Sequence, residues 1–168
     1  VLPQGGKLIA RDNELLIVDA PVINLYIAHN TNYYNKRSPL IALGVEQLIQ
    51  AEAWGEEKLY QEHVHQFSSQ MDRVRVHLGS GDAARGSLPI DRRLSAYHEH
   101  PESDPALASL YLQLGRYLLL SSTRPGALPP NLQGLWTETI QAPWNGDYHL
   151  NINLQMNYWP AYSTNLAE

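Results

Sequence analysis

The chain opens with short alternating runs of apolar and polar residues. Residues 7–10 and 14–18 flank Arg11-Asp12-Asn13, a turn-like cluster, and together predict a hairpin. Residues 22–28 form a third apolar run and predict a strand that returns beside it. Three short strands alone leave much of one apolar face uncovered, so this stretch reads as the edge of a larger sheet or sandwich.

The period then changes. Pro39 suits the first position of a helix, and Leu43, Leu48 and Ile49 fall on one stripe. A second helical run from Glu56 to Gln70 carries Leu59, His63 and Phe67 at i, i+4 and i+8, with Gly55 as the separator. Residues 71–78 return to alternation and predict a half-buried strand, stopped by Gly79 and Gly81. Residues 79–89, rich in glycine, read as a linker. A short helix is expected over 91–100 with Leu94 and Tyr97 inward. A longer one is expected from Asp104, the N-cap, and Pro105, its first helical residue, to about Ser121. Leu107, Leu110, Tyr111, Leu114, Tyr117 and Leu118 repeat at helical spacing along it and predict a wide apolar face with both tyrosines in the core.

From Arg124 onward neither period holds. This stretch carries three of the four tryptophans, several prolines and many side-chain amides. It is too apolar for disorder and too irregular for one helix, and loops of this kind often form binding surfaces. Within it, residues 148–154 alternate again. An extended backbone would put His149, Asn151 and Asn153 on one face and Leu150, Ile152 and Leu154 on the other. Each carboxamide has an acceptor oxygen and two donor hydrogens. Two side by side can orient a water or clamp sugar hydroxyls, but neither can serve as a general base. The alternative is plainer: asparagines that satisfy loop backbone and a histidine at the surface. Trp136 and Trp144 suit the apolar faces of sugar rings or the packing of the loop, and for Trp159, followed by Pro160, packing is the expectation. Gln133, with Asn131, Gln155 and Asn157, adds uncharged hydrogen-bonding groups, a mixture that fits a carbohydrate better than a nucleotide.

Composition narrows the field. With 168 residues, 43% of them hydrophobic, the chain can bury one ordinary core. A formal net charge of −5 without a basic block argues against nucleic acid as a partner. There is no cysteine, hence no disulfide and no thiolate metal site. His63 and His65, like His98 and His100, are one residue apart rather than at metalloprotease spacing, and all four read as surface residues. Gly79-Ser80-Gly81 lacks the lysine of a phosphate-binding loop, and no serine sits in a nucleophile-elbow frame. No metal and no cofactor is expected. The apolar run at 15–18 is far too short for a bilayer. The chain begins at Val1 and its last residues look like the start of a helix, so both ends are expected to be cuts through a longer chain.

The stretch Arg124-Pro125-Gly126-Ala127-Leu128-Pro129-Pro130-Asn131-Leu132-Gln133-Gly134-Leu135-Trp136 resembles glycoside hydrolase family 95, a family of inverting α-L-fucosidases with some α-L-galactosidases. The resemblance continues through Pro143-Trp144, His149-Leu150-Asn151-Ile152-Asn153 and Gln155-Met156-Asn157-Tyr158-Trp159-Pro160-Ala161, and Asn165-Leu166 also fits. Residues 105–123 look like the helix that precedes this segment, and residues 1–104 match only in order and texture. The resemblance implies a mixed α and β fragment. Residues 1–36 would end an N-terminal β-sandwich, residues 37–88 would form a helical linker with an interposed strand, and residues 89–168 would begin an (α/α)6 catalytic barrel.

It also implies roles. Asn151 and Asn153 match the two asparagines that position and help activate the attacking water beside an Asp base, while a Glu protonates the leaving oxygen. Inverting enzymes hold those carboxyls roughly 6.5–9.5 Å apart to admit the water. Both are expected beyond Glu168, so Glu138, Asp147 and Glu168 are not assigned to these roles, and this piece alone is expected to be inactive. His149 matches a sugar-contacting position, expected near the C5 substituent, where it favours the methyl of fucose over a hydroxymethyl. Trp136, Trp144 and Gln133 would complete the sugar pocket. The implied partners are a fucosylated glycan and the remainder of the full-length chain, with no nucleic acid and no membrane. The implied location is secreted or periplasmic. An α-L-galactosidase of the same family and a non-catalytic sugar-binding module remain alternatives.

Overall fold

A computed structural model describes residues 2–34, 36–79 and 82–167, without the side chain of Leu2. Ser80 and Gly81 of the expected linker, and Glu168, lie outside the described residues. The chain divides into two compact units, Val1–His65 and Gln66–Glu168. No helix among the described residues is long and apolar enough to cross a membrane.

In the first unit, β1 (Leu2–Gln4), β2 (Lys7–Arg11), β3 (Glu14–Val18) and β4 (Val22–Asn24) form two separate antiparallel pairs. The predicted hairpin is present: β2 pairs with β3 from Lys7↔Val18 to Arg11↔Glu14, and Asp12 turns the chain at φ 43°. The predicted third strand is shorter than the apolar run that suggested it. It pairs with β1 rather than with the hairpin, as Leu2↔Asn24 and Gln4↔Val22. The segment after it is fastened to α1 (Leu40–Met71) by a reciprocal amide pair. Asn30 Nδ2 donates to Gln47 Oε1 at 3.0 Å, and Gln47 Nε2 donates back at 3.3 Å. Gly55 divides α1 as expected. Its φ of 75° and ψ of 168° are open to a residue without Cβ, and the two helical runs meet there at a kink.

The second unit contains the end of α1, then α2 (Ala83–Gly86), α3 (Ile90–Glu99), α4 (Pro105–Ser121), α5 (Asn153–Tyr158) and α6 (Pro160–Ser163). The strand expected over 71–78 is not formed. Its alternation survives, with Val74 and Val76 half-buried and Arg75 and His77 exposed, but none of these residues is in a strand. Side chains of α4 take the place of a ladder: Gln113 Nε2 donates to the Val74 carbonyl at 2.8 Å, and the Leu78 N–H donates to Ser109 Oγ at 3.2 Å. An extended segment needs backbone partners, not necessarily another strand.

The start of α4 is as read. The Asp104 side chain accepts from the Leu107 N–H, and Pro105 stands at the first helical position. Asp104 is 1% exposed and is also gripped by Arg93 of α3, whose Nε reaches Oδ2 at 2.6 Å and whose Nη2 reaches Oδ1 at 2.9 Å. This fork holds the Asp104 carboxyl below the usual aspartate range and raises the Arg93 guanidinium. Leu94, expected inward, is exposed; the half-buried positions of α3 are Arg93, Ala96 and Tyr97, and Arg93 reaches the Asp104 cap of α4. The broad apolar face expected on α4 is likewise narrower than its pattern. Leu107 is buried, but Leu110, Leu114, Tyr117 and Leu118 are exposed, and Tyr111 is 76% exposed rather than in the core. Tyr117 still packs its ring on Phe67 and on Trp136.

Arg116 organises this unit. Only 2% exposed, it donates to the carbonyls of Gln70, Met71 and Val74, to Gln113 Oε1 and to the Thr164 carbonyl. The last carbonyls of α1 lack helical partners, and a planar, forked cation supplies several at once. Desolvation lowers the Arg116 pKa. At the other end, α6 closes as a helix stops rather than starts. Asn165 is left-handed at φ 56°, and the Leu166 N–H donates to the Ala161 carbonyl at 2.8 Å. The asparagine fills the cap position usually held by glycine, and residues 165–167 are not themselves helical.

Candidate functional site

The irregular stretch after α4 is built from carbonyls that side chains hold. Pro129 and Pro130 cannot donate hydrogen bonds, but their carbonyls accept from the hydroxyls of Tyr148 and Tyr158, each at 2.7 Å. Asn157 Nδ2 donates to the Asn131 carbonyl at 3.2 Å. Asn131 Oδ1 accepts from the Gln133 N–H at 3.1 Å, and the Leu132 N–H donates to the Asp147 carbonyl at 3.3 Å. Burial, with a smaller contribution from Tyr148, pushes the Tyr158 hydroxyl up to about 12. Asn157 and Tyr158 of α5, with Tyr148 ahead of it, thus pin residues 129–131, and the Leu132 N–H in turn holds Asp147.

A 3-10 turn at Pro143–Gly146 follows, in which Trp144 and Asn145 take the left-handed region at φ 50° and 56°. Non-glycine residues there are strained and need surrounding support. Gln133 Nε2 provides some by donating to the Pro143 carbonyl at 3.0 Å, and the Asp147 N–H donates to the Trp144 carbonyl at 3.2 Å. Gly146 makes room: a Cβ there would stand 3.1 Å from Asn131 Nδ2 and 3.5 Å from Gln133 Oε1.

The strand expected over 148–154 is absent. His149 has φ 23°, the Leu150–Asn151 peptide is cis, residues 150–152 form a turn, and Asn153 is already the first residue of α5. A helical period displaces the alternating one. Leu154, Asn157, Tyr158 and Ala161 recur at i, i+3, i+4 and i+7, and these are the half-buried or buried positions. Leu150 and Ile152, expected on a buried face, are exposed. His149 still has a structural task at the helix start, since its carbonyl accepts from the Leu154 N–H at 3.2 Å.

The six residues singled out in the sequence fall into two pairs and two single residues. His149 and Trp144 come together, their rings edge to face with centroids 6.3 Å apart. His149 Nδ1 lies 3.1 Å from Asp147 Oδ1, and the same oxygen accepts the His149 backbone N–H at 3.2 Å. Asn151 and Asn153 are exposed at the turn, and neither side chain has a hydrogen-bond partner among the described residues. Trp136 makes its contacts with α4 and the residue after it, its ring on Tyr117 and its Nε1 donating to Ser122 Oγ at 3.2 Å. Gln133 is turned inward, its Oε1 buried without a hydrogen-bond partner among the described residues. Trp159, expected to pack, is 70% exposed. The residue that sequence reasoning set aside is Asp147. A carboxylate two positions before a histidine is a local Asx-type signal, but only the turn at Pro143–Gly146 brings it onto the imidazole.

Residues 55–168 match the glycosyl hydrolase family 95 catalytic domain. The chain is 45% identical over 108 residues to a probable alpha-fucosidase A of Aspergillus niger, a match that covers 63% of this chain and 13% of the relative. It is 37% identical over 127 residues to alpha-L-fucosidase 2 of Arabidopsis thaliana, covering 74% and 15%. It is 41% identical over 114 residues to a probable alpha-fucosidase A of Aspergillus oryzae, covering 67% and 16%. The chain therefore spans under a fifth of the length of the curated relatives it matches. The domain match, by contrast, takes in well over half of the chain, and the chain belongs to glycosyl hydrolase family 95.

Proposed function

We propose that this chain contributes one wall of the sugar site of an inverting exo-α-L-fucosidase, which removes terminal α-L-fucosyl residues from glycans. Asn151 and Asn153 orient the attacking water. His149, flanked by Trp144, contacts the sugar, and Trp136 and Gln133 shape the pocket from behind. The general-acid Glu and general-base Asp come from elsewhere in the full-length enzyme, which acts outside the cytoplasm. Residues 1–36 belong to the end of a β-sandwich, residues 37–88 to a helical linker and residues 89–168 to the opening of an (α/α)6 barrel.

The observation that carries this reading is the state of the two asparagines. In a loop where the side chains of Asn131, Gln133 and Asn157 all make hydrogen bonds within the protein, the side chains of Asn151 and Asn153 make none among the described residues and stand exposed, close in sequence to the Asp147–His149–Trp144 cluster. Amides left open at a turn suit a water or a hydroxyl. The fucosidase names of the relatives support the choice of sugar.

The test uses the full-length enzyme. Asn151→Ala and Asn153→Ala should each lower kcat on an aryl α-L-fucoside by about 100-fold or more with the fold intact, the scale of losing a group that acts on the reacting water. Proton NMR of the first-formed product should show the inverted β anomer. Retained configuration, or full activity in both variants, rules the assignment out. His149→Thr should shift preference from fucosides towards galactosides.

A further inference from the structure

We infer that Asp147 is the positioning residue of the His149 imidazole, fixing which ring nitrogen faces the sugar. The inference rests on the reading of His149 as a sugar contact and adds the residue that makes that contact selective.

One carboxylate oxygen makes both contacts. Asp147 Oδ1 accepts the His149 backbone N–H at 3.2 Å and lies 3.1 Å from His149 Nδ1. The approach lacks the alignment of a full hydrogen bond, but a carboxylate oxygen this close repels a bare ring lone pair and attracts an N–H, so the contact favours a proton on Nδ1. In a neutral imidazole this leaves Nε2 as a lone pair. A lone pair at Nε2 accepts from a sugar hydroxyl, and the opposite tautomer would present an N–H there instead. The carboxylate therefore sets the polarity of the contact as well as the rotation of the ring.

Asp147 can do this because its own backbone is tied on both sides. Its N–H donates to the Trp144 carbonyl at 3.2 Å, and its carbonyl accepts from the Leu132 N–H at 3.3 Å. Trp144 then borders the ring, edge to face at 6.3 Å. The His149 side chain remains 38% exposed, so the ring is held on one side and reachable on another. Histidines that must present a particular nitrogen are commonly oriented by a carboxylate in this manner.

The experiment is a double-mutant cycle in the full-length enzyme, measured as kcat/KM on an aryl α-L-fucoside. Asp147→Leu and Asp147→Ala remove the acceptor, while Asp147→Asn keeps an acceptor oxygen in nearly the same shape. The acceptor-free variants should lose about tenfold, the scale on which such supporting partners act. Asp147→Asn should stay within about threefold of the parent by the same reasoning. In a His149→Ala background the penalty of Asp147→Ala should shrink to less than about twofold, because coupled residues are not additive. A melting temperature for each variant separates misfolding from mispositioning. If His149→Ala is costly and the Asp147 penalty persists in full beside it, Asp147 acts on the loop and the inference is overturned alone. If His149→Ala leaves kcat/KM unchanged, the sugar-contact reading falls and this inference falls with it.

Discussion

The Tyr158 hydroxyl donates to the Pro130 carbonyl at 2.7 Å across 28 positions of sequence. One turn of helix is thereby fastened to a proline that can give the fold no N–H of its own, and Tyr148 repeats the arrangement on Pro129.

Removing the Tyr158 hydroxyl should therefore loosen the loop. Tyr158→Phe is expected to cost about 1 kcal/mol of stability, and Tyr148→Phe less, since its bond is exposed to water. The pH dependence has a definite sign. The folded-state pKa is raised to about 12 from an ordinary 10.0, so folding favours the protonated phenol. That contribution is complete below the ordinary value and is lost as pH rises through about 12. Denaturant melts of the full-length protein at neutral and alkaline pH, with and without Tyr158→Phe, should converge at the alkaline end.

Arg116 should be the least replaceable cation of the second unit. It serves the carbonyls of Gln70, Met71, Val74 and Thr164 together. Arg116→Met fills similar space but takes this donor from the Met71 and Thr164 carbonyls and leaves Gln70 and Val74 with only the Arg73 N–H and Gln113, with an expected loss of about 3 kcal/mol. Arg116→Lys should recover only part of it, because an ammonium is a point donor rather than a fork. Thermal denaturation of the three proteins gives the order, and equal stability of the Met variant would show that water satisfies these carbonyls instead.

What could be read in advance follows from how local each signal is. Gly55, the Asp104–Pro105 start of α4 and the Asp12 turn are decided by neighbours within a few residues, and each is found where the pattern put it. The strands expected at 71–78 and 148–154 needed a partner strand that alternation cannot report. The first is held instead by Gln113 and Ser109, and the second yields to the helical spacing of Leu154, Asn157, Tyr158 and Ala161. In the candidate site, His149, Asn151, Asn153 and Trp144 were visible as residue types. The Asp147 contact was not: Asn145-Gly146 marks a turn, but nothing in an indole residue announces that Trp144 also takes the left-handed region and so carries Asp147 onto the imidazole.

The Arg93–Asp104 fork predicts sensitivity to acid. Asp104 has its pKa lowered on folding, first by the Arg93 hydrogen bond. A depressed carboxylate contributes stability above its unfolded value, and that contribution fades as pH falls through the folded one. Asp104→Asn keeps an acceptor for the Leu107 N–H but leaves Arg93 without its counter-charge, and Asp104→Ala removes both. Melting temperature at neutral pH should therefore fall in the order parent, Asn, Ala. The gap between parent and Asn should narrow in acid, below the ordinary aspartate range, and a pH-independent gap would assign the effect to packing alone.

Gly146 tests whether the loop must be this tight to hold its site residues. At φ 59° it occupies a region that costs an L-residue about 1 kcal/mol, and a Cβ would press on Asn131 Nδ2 at 3.1 Å. Asn131 is the hub that receives the Gln133 N–H and the Asn157 amide, and its neighbour Leu132 holds the Asp147 carbonyl. Gly146→Ala should thus cost about 1–2 kcal/mol in stability, summing backbone strain and displaced hydrogen bonds. Because the displaced strip leads to Asp147 and His149, it should also raise KM on a fucoside more than it lowers kcat, as expected when sugar binding rather than the reacting water is disturbed. A variant that loses stability but keeps its KM would separate the loop's packing from the orientation of His149.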